Sequence, residues 1–132
     1  MQAFSYGVVV FAVSSLLYGT PALSEDDLER GVKVFMLRCI ACHSMECTRR
    51  APRLGDLFGR QAGTEPDFAY SDAMANSGIV WDEDVLDAFL ADMNGVIPGN
   101  GMWSVTGNIT DPEDRRSLID YLLSGDTSLD IC

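Results

Sequence analysis

Cys39-Ile40-Ala41-Cys42-His43 is the stretch on which the reading of this chain turns. Two thiols separated by two residues, with an imidazole directly after the second, form the spacing used for covalent haem attachment. If the segment is helical, Cys39 and Cys42 lie on one face one turn apart, within reach of the vinyl groups along one haem edge. His43 then presents its ring to the iron from one side of the porphyrin plane. The same thiols, with His43 and Cys47, could instead hold zinc, because C-x2-C pairs recur in zinc sites. Adjacent Cys and His ligands close poorly around one tetrahedral ion, which favours haem.

The chain has 132 residues, enough for one domain. Nine basic against twenty acidic side chains give a net charge of −11 at pH 7. That balance argues against nucleic acid as a partner, since phosphate binding needs a basic footprint. It argues equally against docking on an anionic membrane surface. The chain holds a single histidine. If His43 binds iron, the opposite ligand is a methionine, Lys33, water or nothing.

Residues 1–24 read as a secretory signal, with an apolar core over Val8–Val13 and a small-residue exit after Ala22 or Ser24. No Lys or Arg precedes that core, so an uncleaved membrane anchor is the alternative, although the apolar run is shorter than a span needs. Export would deliver the chain to an oxidising compartment, which suits both haem attachment outside the cytoplasm and a disulfide. The remaining stretch, 25–132, opens with Ser24 and Asp27 as a capping box and carries Leu28, Val32, Phe35 and Met36 on one helical face. Gly31 inside that pattern suggests a closely crossing helix. Asp82 caps a second helix with Leu86, Phe89, Leu90 and Met93 on its apolar face, failing by Gly95 and Pro98. Asp111 with Pro112 opens a third, which Gly125 ends. Nothing in the pattern argues for a sheet. Between Glu46 and Gly63 no helical period appears, and Arg49, Arg50, Arg53 and Arg60 make a basic strip.

Among the methionines, Met36 and Met45 flank the Cys39 motif on the wrong side, and Met93 has core spacing. Met74 sits in a short segment among small residues. Met102 is delivered by the stiff turn Ile97-Pro98-Gly99-Asn100-Gly101 and is the candidate for the second iron position. A thioether opposite an imidazole stabilises ferrous iron. Cys47 and Cys132 are left over, and an exported chain with one extra pair most often bridges it. The closed loop is worth roughly 4 kcal/mol on chain entropy. Pairing of Cys132 with another chain is the alternative.

Several stretches beyond the Cys39 motif coincide with one family. The chain resembles the soluble class I cytochromes c of mitochondria and proteobacteria over roughly residues 25–124. Gly31, Phe35 and Tyr121 match the family's crossing of N- and C-terminal helices. Ala51-Pro52-Arg53-Leu54 resembles the segment whose proline carbonyl orients the haem histidine. Arg60, Tyr70 and Trp81 match residues that lie near or hydrogen-bond the haem propionates, and Ile97-Pro98-Gly99 with Met102 matches the axial methionine loop. Departures are equally specific. Asn94, Gly95 and Gly101 stand where lysine is frequent in mitochondrial members. Phe89 replaces a tyrosine, Ser104 an aromatic, and the segment from His43 to Pro52 is short.

The resemblance implies an all-α cytochrome c fold, with crossing terminal helices and shorter helices and loops around one covalent haem c. It implies no enzyme activity but one-electron transfer between periplasmic or membrane redox proteins, through a monomer whose iron His43 and Met102 hold. The acidic surface leads us to expect a basic docking patch on at least one partner, with transient docking to membrane complexes. Alternatives are a dedicated electron-accepting subunit of a periplasmic dehydrogenase, and a gas-binding or sensing cytochrome with a labile methionine.

Overall fold

The computed structural model describes residues 24–132, so the expected export segment lies outside the described residues, apart from Ser24. Among the described residues the chain is helical, without a named strand: α1 (Glu25–Arg38), α2 (Asp72–Ala75), α3 (Glu83–Ala91), α4 (Met93–Val96), α5 (Trp103–Thr106) and α6 (Pro112–Ser124). The nearest approach to a sheet is an isolated antiparallel bridge between Gln61 and Val80. None of these helices is long and apolar enough to cross a membrane.

The terminal helices start and stop where their sequences dictate. Ser24 Oγ accepts from the Asp27 N–H at 3.1 Å and donates to Asp27 Oδ2 at 2.7 Å, closing the first turn of α1. Asp111 accepts from the Glu113 N–H at 2.9 Å, with Pro112 at the first helical position of α6. Gly125, in the left-handed region at φ 65°, ends α6. The acids at the start of α6 also meet a cation. Arg30 on α1 reaches Asp114 at 2.7 Å, Glu113 at 2.8 Å and Asp111 at 2.9 Å, tying the two helices together.

The α1–α6 crossing depends on a missing side chain. A Cβ on Gly31 would lie 2.8 Å from the Ser117 carbonyl carbon and 2.9 Å from Tyr121 Cβ, and would run into the Ser117 carbonyl oxygen. Beside this contact the Phe35 and Tyr121 rings pack with centroids 5.1 Å apart. Both are almost wholly buried, as are Leu118 and Met93. Helix α3 adds Leu86, Phe89 and Leu90, and Trp81 meets Phe89 edge-on at 5.3 Å.

One helix expected to run through Met93 is broken. Asp92 leaves helical geometry (φ −148°, ψ 79°) and caps a new turn, accepting from the Gly95 N–H at 3.0 Å. The Met93 N–H turns to Asn108 Oδ1 at 3.1 Å, so a side chain from the following loop replaces the helical bond. Met93 still points into the core, now from α4. The tail folds back over the first loop: Leu129 packs on the core, Asp130 accepts from Ser44 Oγ, and the Cys132 and Cys47 Cα atoms are 6.0 Å apart with their sulfurs at bonding distance.

Candidate functional site

Helix α1 hands the chain directly to the Cys39 motif. The helix closes at Arg38, yet the Cys39 carbonyl accepts the N–H groups of Cys42 at 3.0 Å and His43 at 2.9 Å, prolonging it by a tight turn. Cys39 and Cys42 are free thiols, the first buried and the second half-buried. Burial pushes the Cys39 thiol up to about 12, with the nearby Arg38 opposing it. His43 is buried, and its Nδ1 lies 2.7 Å from the Pro52 carbonyl oxygen. Burial lowers the His43 pKa, against the pull of that hydrogen bond.

These groups border a cavity of about 310 Å³. All eight residues singled out in the sequence line it: Cys39, Cys42, His43, Pro52, Arg60, Tyr70, Trp81 and Met102. Apolar side chains from α3 and α6, including Leu86, Phe89, Leu90 and Leu118, complete the wall. Among the described residues no three His, Cys, Asp or Glu side chains gather to hold a metal ion. Cys47, the fourth member of the zinc alternative, sits with Cys132 instead. The donor set therefore fits haem: two unpaired thiols next to one imidazole with a free Nε2, and a largely apolar cavity beside them. Of the methionines, Met102 and Met74 line the cavity, whereas Met36 is exposed and Met93 and Met45 are buried elsewhere.

The wall near Arg60 holds a group that the sequence reading missed. Glu65 is 6% exposed, between two guanidiniums. Arg53 Nε reaches its Oε1 at 2.6 Å, and Arg60 Nη1 reaches its Oε2. Arg60 also donates to the Arg53 carbonyl at 2.7 Å. The basic strip is thus divided: Arg53 and Arg60 are tied to Glu65, while Arg50 stays exposed at the cavity wall. Burial lifts the Tyr70 phenol above its ordinary range, while the nearby Glu65 backbone and the Arg60 charge oppose the rise. Among the described residues Arg38, Arg50 and Arg60 line the cavity and no carboxylate does, despite the net charge of −11.

A histidine directly after two free thiols, all bordering a largely apolar cavity lined by helices and loops, defines a covalent haem protein. The Cytochrome c family profile matches residues 28–126, and the chain belongs to that family. It is 46% identical over 88 residues to cytochrome c2 iso-2 of Magnetospirillum fulvum, covering 65% of this chain and 90% of the relative. It is 36% identical over 112 residues to cytochrome c2 of Rhodomicrobium vannielii, covering 83% and 87%. Among solved structures, cytochrome cH from Methylobacterium extorquens superposes with a TM-score of 0.69 at 36% identity, over 74% of this chain and 98% of that one. As a family member the protein carries one covalent haem c, acts as an electron carrier with redox partners, and is not an enzyme. Bound haem supplies a one-electron iron couple. Cys39 and Cys42 would hold the haem covalently, and the His43 imidazole, its Nδ1 2.7 Å from the Pro52 carbonyl oxygen, borders the same cavity.

Proposed function

We propose that this protein is an exported, monomeric one-electron carrier of the periplasm whose haem iron lies between His43 Nε2 and Met102 Sδ. The observation that carries this reading is that His43 and Met102, far apart in the chain, border the same cavity as Cys39 and Cys42. Cys39 and Cys42 form the thioether links. The Pro52 carbonyl fixes the imidazole, while Arg60, Tyr70 and Trp81 face the propionates. Residues 1–24 act as the export signal, cleaved after Ala22 or Ser24, and Cys47–Cys132 is a structural disulfide.

Optical spectra of the purified protein, oxidised and reduced, test the ligand set. Ferric haem bound to methionine gives a weak near-infrared charge-transfer band, expected here at neutral pH. Its absence, with carbon monoxide binding readily to the reduced form, would favour the gas-binding reading.

The partner is a redox protein, and the overall charge supports a basic docking patch on at least one such protein. Transfer to it then slows as salt rises. The arginines around the cavity have the opposite sign to the rest of the surface. A rate that rises with salt would therefore assign docking to those arginines and an acidic partner surface.

A further inference from the structure

The loop that presents Met102 is fastened from within by one buried amide. Asn100 is 5% exposed. Its Nδ2 donates to the carbonyl oxygens of Met93 and Ile97, each at 2.8 Å. Its Oδ1 accepts from the backbone N–H of Met102 at 3.1 Å and of Trp103 at 2.9 Å. The two amide hydrogens and two oxygen lone pairs are all used. The amide cannot be turned over, because its NH2 would then face two N–H groups and its oxygen two carbonyls.

The four partners lie on either side of the Pro98–Gly101 turn. Met93 and Ile97 belong to α4 and its C-cap, whereas Met102 and Trp103 open α5. Met102, the N-cap of α5, makes no side-chain cap of its own, so Asn100 satisfies the donors that the helix start leaves open. The carbonyl of Met102 is held from the other side by Thr106 Oγ1 at 3.2 Å. Both backbone polar groups of Met102 are therefore anchored, which leaves its side chain as the movable part. A fully satisfied buried polar network of this kind stiffens what it joins.

We propose that Asn100 is a positioning residue that holds Met102 at the cavity wall and so governs how readily its thioether yields the iron to another ligand. The role rests on the His43–Met102 reading above. Holding Met102 in its binding-competent arrangement lowers the apparent affinity of any competing ligand.

The test uses the haem-loaded protein and three versions of it: wild type, Asn100→Leu, and Asp92→Ala. The last removes the cap on Gly95 at the other end of α4 and touches neither Met102 nor Trp103. In Asn100→Leu the near-infrared methionine band should weaken, and ferric protein should bind imidazole at least about tenfold more tightly. Asp92→Ala should keep wild-type values for both. An unchanged Asn100→Leu, or an equal change in Asp92→Ala, overturns the role of Asn100 while leaving the ligand assignment intact. A wild type without the band overturns the ligand assignment, and the role of Asn100 falls with it. If Asn100→Leu does not fold, amide exchange in the wild type decides. Met102 and Trp103 should exchange at least about tenfold more slowly than Gly101 and Ser104, and equal rates overturn the proposal.

Discussion

His43 Nδ1 lies 2.7 Å from the carbonyl oxygen of Pro52. A carbonyl only accepts, so Nδ1 carries the hydrogen and Nε2 keeps its lone pair for a metal. The carbonyl is held in place by its neighbours: the Ala51 N–H bonds to the Cys42 carbonyl at 3.1 Å, and the Leu54 N–H to the Ser44 carbonyl at 2.8 Å. Position 52 contributes an oxygen that any residue has, plus a fixed φ that only proline has. Pro52→Ala should therefore keep the optical spectrum and lower stability by about 0.4–1 kcal/mol, through greater freedom of the unfolded chain. Thermal unfolding followed through the haem absorbance measures it, and loss of the histidine-bound spectrum would contradict the account.

Gly31 offers a harsher test. Any Cβ there meets the Ser117 carbonyl, which is helix backbone and cannot rotate away. Gly31→Ala should cost about 3 kcal/mol as α1 and α6 are forced apart, despite alanine's better helix propensity. Urea unfolding of the two proteins gives the difference. A stabilised variant would mean that the helices do not cross at this glycine.

What could be read from the sequence was local chemistry. Ser24, Asp82 and Asp111 announce helix starts because a cap is satisfied within three residues, and Gly31 announces a crossing because it costs the helix something. The Cys39 motif is legible for the same reason, being a site compressed into five residues. Glu65 and Asn100 were invisible because their surroundings decide them. A glutamate in a loop reads as solvated until Arg53 and Arg60 fold around it, and an asparagine between two glycines reads as a turn former until its side chain turns inward. The break at Asp92 was hidden likewise, since it needs the Asn108 side chain from a later loop. For Glu65 and for the break at Asp92 the missing information was a partner from another loop, Arg53 or Asn108, whereas for Asn100 it was the inward turn of its own side chain onto backbone groups between Met93 and Trp103.

Asp120 on α6 carries the next prediction. Burial raises its pKa, Arg116 opposes the rise and Asp27 adds to it. A carboxyl that is harder to ionise when folded favours the folded state in acid and loses that advantage as pH rises through its folded pKa. At neutral pH the ionised group is thus a small liability. Asp120→Asn should stabilise the protein at pH 7 by less than about 1 kcal/mol, since solvent screens the group. The gain should vanish at a pH below the unfolded value of roughly 3.9. Paired unfolding curves at the two pH values check this, and an Asn variant less stable at pH 7 would reverse the sign.

Glu65 ties stability to redox behaviour. Its carboxylate is buried between Arg53 and Arg60, and Arg60 borders the cavity. Glu65→Gln leaves two guanidiniums facing one neutral amide, and breaking a buried pair from one side should cost about 3 kcal/mol. The same change removes a negative charge behind the cavity wall at Arg60. Ferric haem is one unit more positive than ferrous, so it suffers more from the loss, and the midpoint potential should rise. Asp56 cannot replace the lost charge, because it reaches only Arg53, at 3.4 Å, from an almost fully exposed position. Redox titration and urea unfolding of the same samples separate the effects. A lower potential with unchanged stability would show that Arg60 swings away from the cavity and that Glu65 had been holding it there.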